Sequence, residues 1–301
     1  MNNKNTIGII CTLFAASLWG TIGIFVRVLT EYGLDSTEIT VIRFVVSTIL
    51  IGIYIGVINP KNYKIKLKDI KLFFFVGIFC TLFYNISYSV AISKSSMSIA
   101  AVLLYTSPII VTIVSIPIFK ENITINKCIA VIMSVVGCAL ATGILTNESN
   151  RLSIEGFSWG IAAAIGYSMY NIFSRLLTQK YSTITILFYI FLFASLAGVL
   201  MIDINNIVLI FSANKSLLFI AVISGLICNV LPCFFYSVAL SKMSSSDVAI
   251  VSSIELVVAT VLGYFFFKEK IGIDSIFGII SILCSVVIIN KSNKSRGVNY
   301  G

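Results

Sequence analysis

Glu255 stands near the middle of an apolar run from 246 to 267, and it is the one carboxylate among twelve placed so deep in such a run. An ionisable side chain at the centre of a bilayer costs at least about 2.5–3.5 kcal/mol, so it calls for a reason. A carboxyl there can exchange a proton or pair with a cation; the structural alternative is a protonated Glu donating one hydrogen bond between helices. Arg43 lies about one turn inside another apolar run, from 38 to 58. It is close enough to the end to snorkel or to pair with Glu38, and facing a cavity it could hold a carboxylate through a bidentate contact.

Polar and aromatic side chains recur at helical spacing in the same kind of run. Thr81, Tyr84, Asn85 and Tyr88 form one stripe and Tyr167, Tyr170, Asn171 and Ser174 another, while Trp19, Tyr105 and Asn229 add single groups at depth. Such stripes face a bundle interior or a water-filled cavity, with helix-to-helix hydrogen bonding as the plainer use. Trp19 is too deep for an interfacial aromatic belt. Pro108 and Pro232 interrupt their runs and free backbone groups, as a helix bending round a cavity or an ordinary packed kink would require.

The elements that must position these residues follow from composition. Of 301 residues 58% are hydrophobic and 11% charged, with mean hydropathy +1.03, against roughly 45–50% and about 25% in a soluble domain. The chain is read as an all-α integral membrane protein. Apolar runs of about the 20 residues a span needs occur near 7–29, 38–58, 70–92, 98–119, 127–145, 154–177, 183–202, 215–240, 246–267 and 273–290, predicting ten transmembrane helices. The polar stretches 59–62 and 146–150 read as loops. Lys4 ahead of an apolar run imitates a signal peptide, but the run continues to Leu29 and has a partner later in the chain.

That partner appears when the sequence is shifted by 148 residues. Tyr88 to Lys94 then falls on Tyr236 to Lys242, Arg27 on Arg175, Gly77 on Gly225, Cys80 on Cys228, and Lys120-Glu121 on Lys268-Glu269. Each copy holds five spans, an odd number, so the second enters the membrane from the opposite side; two inverted five-helix repeats, 1–148 and 149–301 with a short basic tail, are expected. Lys and Arg concentrate in the segments that share a side with the N-terminus, which predicts both termini cytoplasmic and explains the net charge of +9 without nucleic acid. The Lys-Glu pairs at span ends suit local ion pairing or capping better than a gate.

Several chemistries are excluded or disfavoured. The chain has no histidine, which removes imidazole-dependent triads and metal sites, and its Asp residues lie at or near loops, which leaves no intramembrane pair for aspartyl proteolysis. Seven cysteines without a CxxC pair read as small buried residues, neither a disulfide frame nor a metal cluster. No enzyme activity, cofactor or metal is expected, and no glycine-lysine nucleotide loop is present.

Trp19-Gly20, Arg43-Phe44, the stretch from Ala91 through Pro108 to Glu121, and Glu269 resemble the marks of the ten-span drug/metabolite transporters built from two EamA-type repeats. In place of that family's glutamate-proline pair the second copy carries Glu255-Leu256. The resemblance implies a small-molecule solute bound near the midplane between the halves, which rock to expose it to each side in turn. Glu255 would carry the proton if transport is coupled. An acid for an amine, an arginine for a carboxylate and tyrosines for an apolar body suit amino acids or similar amphipathic metabolites, moved outward across a bacterial cell membrane. A multidrug or organic-cation exporter, a metabolite importer and a membrane scaffold are the alternatives.

Overall fold

The computed structural model describes residues 3–95, 97–121, 123–142, 153–268 and 271–296; the loop at 146–150 and Glu269 lie outside them. Among the described residues every regular element is helical. Eight helices among the described residues are long and apolar enough to cross a membrane: Asn5–Glu31 (α1), Ser36–Ile58 (α2), Leu67–Lys94 (α3), Ser98–Phe119 (α4), Thr183–Met201 (α7), Ser216–Leu240 (α8), Ser245–Phe267 (α9) and the stretch Ile273–Lys291 of α10. Between them lie α5, Ile125–Ala141, which is apolar but shorter, and α6, Ile154–Thr178, whose 25 residues are diluted by Glu155, Ser158, Asn171 and Arg175. The last helix, α10, runs on to Arg296. A short helix not expected from the sequence, Ile204–Ala213, starts where Asp203 accepts from the Asn205 and Asn206 amides.

Polar side chains set the helix starts. Asp35 and Glu38 form a reciprocal capping box on α2, and Thr124, Ser153, Ser182 and Ser244 cap α5, α6, α7 and α9, each satisfying an amide that hydrocarbon could not. The outer surface is apolar, with Ile53, Val57, Phe219 and Phe265 exposed. Two of the cysteines expected to be buried, Cys128 and Cys284, are exposed too, as small apolar groups on helix faces that a bilayer would cover.

The two copies interlock. The α5 helix packs along α10, α2 along α7, α1 on the second half of α8, and α6 on the second half of α3. The 148-residue shift maps each of the first two pairings onto itself and exchanges the other two. Ser281 donates to the carbonyl of Met133, its own counterpart, at 2.8 Å, and Ser195 meets Thr48 at 3.1 Å, one residue from its counterpart Ser47. Gly77 brings α3 against the Ile190 carbonyl of α7, and Gly225 brings α8 against Val46 of α2.

Interruptions repeat as well. π-Helical turns occupy Val76–Leu82 in α3 and Leu226–Val230 in α8. Pro232 therefore does not break its helix: it sits just past the π turn, where the widened backbone leaves its missing N–H unneeded. In α4 the helix does break, at Tyr105–Thr106 ahead of Pro108, and α9 breaks at the equivalent Ser253 although Leu256 replaces the proline. There the Ser253 hydroxyl bonds the Ile250 carbonyl at 2.6 Å, drawing it away from the ladder. Lys120 and Lys268, counterparts again, end α4 and α9 with φ of 52° and 54°.

A Cβ at Gly77 would stand 2.8 Å from the Ile190 carbonyl oxygen, whereas one at Gly23 meets nothing within 4 Å. Gly77→Ala is expected to destabilise the protein by about 1–3 kcal/mol and Gly23→Ala to leave it unchanged or slightly more stable, read from unfolding midpoints of the purified variants.

Candidate functional site

Glu255 opens the second half of α9, just past the break at Ser253. It is half-buried, as are Tyr84 and Tyr88 of α3, Tyr105 of α4 and Tyr167 of α6. All four phenols lie within electrostatic reach of its carboxyl, and that of Tyr105 interacts with it directly. The rings continue as a chain: Tyr84 meets Tyr167 edge-on at 5.4 Å, Tyr167 stacks near Tyr170 at 6.4 Å, Tyr170 near Tyr236 at 6.5 Å, and Tyr236 packs on Trp19 at 5.0 Å. A deep acid ringed by aromatic faces suits a cationic group with an apolar body.

Arg43 is buried, 6% exposed, and does not snorkel. Glu38 is not its partner either, being held by the Asp35 amide at 2.9 Å and by Asn206 at 3.2 Å. Its guanidinium donates to Thr40 at 3.3 Å through Nη2, while Nε and Nη1 have no conventional hydrogen-bond partner among the described residues. It lies within reach of Cys228 and Cys233 of α8 and of Tyr84, which is thereby within reach of Arg43 and Glu255 at once.

The other expected residues divide. Asn171 is fully buried and accepts from the Tyr236 hydroxyl while donating to the Tyr167 carbonyl at 2.9 Å, which joins α6 to α8. Asn85 donates to the Thr81 carbonyl of its own helix at 2.9 Å, a local bond within α3. Asn229 sits in the α8 π turn, buried, with no partner for its amide nitrogen among the described residues. Tyr236, the centre of the aromatic chain, was not singled out as a site residue, although it is the counterpart of Tyr88.

At one end of the bundle the sequence reading is corrected. Glu121 does not pair with Lys120. It pairs with Lys127 at 3.0 Å and with Arg175 of α6, and accepts from the Ser246 hydroxyl and, at 3.2 Å, from the Ser245 amide at the start of α9. Lys127 also reaches Asp247 at 3.3 Å and the Ser244 hydroxyl at 3.2 Å.

A model of the EamA-like transporter family matches residues 6–143 and again 154–291. The chain belongs to the EamA-like transporter family. It is a multi-pass membrane transporter, and its kind implies a small-molecule solute. An uncharacterised transporter of Clostridium kluyveri is 21% identical over 95% of this chain and 94% of its own. The S-adenosylmethionine uptake transporter of Rickettsia prowazekii is 24% identical over 87% and 85%. A transporter of Archaeoglobus fulgidus, 26% identical, matches over 51% of this chain, which spans about half its length. One solved crystal structure superposes over 96% of this chain and 98% of its own with TM-score 0.77 at 14% identity, a likeness of fold.

Burial alone would push the Glu121 carboxyl up, but Lys127, the Ser246 hydroxyl and Arg175 outweigh it and hold it below its ordinary value of 4.5. A depressed carboxyl adds stability that is present above the unfolded value and lost as pH falls through the folded one. The unfolding midpoint is therefore expected to carry a Glu121 contribution that is constant from about pH 7 to about pH 5 and lost below about pH 4.5. Subtracting the titration of Glu121→Gln isolates it.

Proposed function

We propose that the protein is a secondary transporter of the bacterial cell membrane that exports amino acids or similar small amphipathic metabolites by alternating access. In this reading ten spanning helices form two inverted five-helix repeats, 1–148 and 149–301, with both termini cytoplasmic. The self-mapping contacts α5–α10 and α2–α7 support a two-fold relation, and five helices in each copy make that relation an inversion. The boundary falls in the interval between the two matched segments.

The observation that carries the substrate reading is the buried guanidinium of Arg43, with no hydrogen-bond partner for Nε and Nη1 among the described residues, within electrostatic reach of the same tyrosine as Glu255. A buried cation without a counter-charge costs several kcal/mol, roughly, and a carboxylate arriving on Nε and Nη1 would remove that cost. Glu255 and its phenols would take the ammonium, and Trp19, Tyr84, Tyr88, Tyr105, Tyr167 and Tyr170 the apolar body. Both charges stand where the copies diverge: Phe191 is the counterpart of Arg43, and Ser107 of Glu255. A symmetric scaffold would thus bind its solute in one orientation. Proton coupling, where transport is coupled, falls to Glu255.

A second reading follows from the Rickettsia relative, whose named substrate, S-adenosylmethionine, also joins a carboxylate, an ammonium and a further cation. It reverses the direction of transport and keeps the same contacts.

The test is flux in proteoliposomes against amino acids, organic cations and S-adenosylmethionine, with and without a pH gradient. Saturable amino-acid efflux supports the proposal. Arg43→Met and Glu255→Gln are each expected to raise KM at least about 30-fold, the loss of one charged partner of a buried contact. Transport unchanged by Glu255→Gln removes its role, and cation transport indifferent to Arg43→Met moves the protein to the organic-cation class.

A further inference from the structure

The segment from Asn59 to Lys71, which closes α2 and opens α3, carries Lys61, Lys64, Lys66, Lys68 and Lys71, and all five are exposed. None of them forms an ion pair among the described residues. Asp69, the one carboxylate in the stretch, is engaged elsewhere: it accepts from the Tyr181 hydroxyl at 2.6 Å and pairs with Lys180 at 3.4 Å, while Lys68 lies within electrostatic reach of it without pairing. The segment therefore presents a strong excess of positive charge.

These lysines stand on a fixed frame. The Thr185 hydroxyl donates to the Asn62 carbonyl at 2.8 Å, the Tyr189 hydroxyl to the Tyr63 carbonyl at 2.7 Å, and the Lys66 amide to the Tyr181 hydroxyl at 3.2 Å, while Ile65 packs on the apolar core. A segment of the first copy is thereby bound across the start of α7 in the second. Its backbone cannot scatter as a free loop would, which lowers the entropic cost of gathering several ammonium groups round one anion. The N-terminal ends of α3 and α7 also lie in this region, and their dipoles add to the positive potential. Beside the lysines the surface is apolar. Leu67 is 84% exposed between Lys66 and Lys68, and Val57 and Ile58 at the end of α2 are exposed as well.

Two helices long enough to cross a membrane meet at this segment, which puts it at the level of the lipid headgroups. A soluble anion would use the lysines and leave Leu67, Val57 and Ile58 in water. A phospholipid uses both: its phosphodiester oxygens accept from ammonium groups, and its acyl chains cover the apolar side chains. A zwitterionic headgroup would bring a cation of its own against the lysines, whereas an anionic one brings none. We propose that residues 59–71 form a binding site for an anionic phospholipid of the bilayer that the protein spans, with the phosphate held among Lys61, Lys64, Lys66, Lys68 and Lys71 and the acyl chains lying along Leu67 and the end of α2.

The association of spin-labelled phosphatidylglycerol and spin-labelled phosphatidylcholine with the full chain in phosphatidylcholine liposomes tests the site without any solute, so its outcome is independent of the transport reading. Phosphatidylglycerol is expected to be preferred. Lys64→Gln, Lys66→Gln and Lys68→Gln together are expected to reduce that preference at least about fivefold, the effect of a single lysine at a lipid surface, because three exposed lysines are lost at once. Lys291→Gln, Lys294→Gln and Arg296→Gln together remove the same number of charges elsewhere and are expected to reduce it by less than about twofold, since attraction falls off within a Debye length. Glycerophosphoglycerol, the same headgroup without its chains, is expected to leave the lipid in place. Equal association of the two lipids, equal losses in the two triple variants, or displacement by glycerophosphoglycerol would overturn the proposal, the last by making the occupant a soluble anion.

Discussion

The fold depends on how closely backbones approach where the two copies cross. Between lipid-immersed helices there is little hydrophobic drive to associate, because hydrocarbon is as apolar as leucine, so contact must come from close packing and from polar groups that find partners in protein. Gly77 and Gly225 supply the first, seating α3 on α7 and α8 on α2 with no room for a side chain. Ser195 against Thr48, and Ser281 against the Met133 carbonyl, supply the second. Remove the glycine contacts and the halves lose the surface on which they are registered.

On that scaffold the two copies have been used differently. Symmetry is kept where backbone geometry matters: the π turns in α3 and α8, the breaks at Tyr105 and Ser253, and the left-handed ends at Lys120 and Lys268. It is kept at some charges, such as Arg27 and Arg175, and abandoned at others, at Arg43 against Phe191, Ser107 against Glu255, and Lys127 and Asp247 against Ser275 and Ile99. A duplicated bundle with identical charges would present the same field in both directions, whereas divergence at a few positions gives it a polar axis and unequal ends.

Buried charge takes two forms in the protein. Glu121, Lys127, Arg175 and Asp247 offset one another, and the serine hydroxyls of α9 satisfy much of what remains. Arg43 forms no ion pair among the described residues, and two of its nitrogens have no hydrogen-bond partner there. The first arrangement joins the α4–α5 connection to α6 and α9 at one end of the bundle. The second leaves the interior short of an anion, which is a sound reason for a membrane protein to bind one.

Much of this was legible in the sequence. The membrane class and the helical content follow from hydrophobic runs longer than any soluble core needs, and the duplication from one register held between Tyr88 and Tyr236, Arg27 and Arg175, and Gly77 and Gly225. The depth of Glu255 within its run and the stripes of Tyr84 and Tyr167 pointed to a polar and aromatic interior, since period and hydropathy are properties of a single helix. What only the tertiary structure decided is which helix each side chain meets. Whether Arg43 snorkels or is buried, whether Glu121 pairs with its neighbour Lys120 or with Lys127 and Arg175, and that Tyr236 closes the aromatic chain, all depend on contacts between segments up to well over a hundred residues apart. Local pattern carries no information about such distances, because ion pairs and ring contacts are set by which faces of which helices the crossing glycines allow to meet.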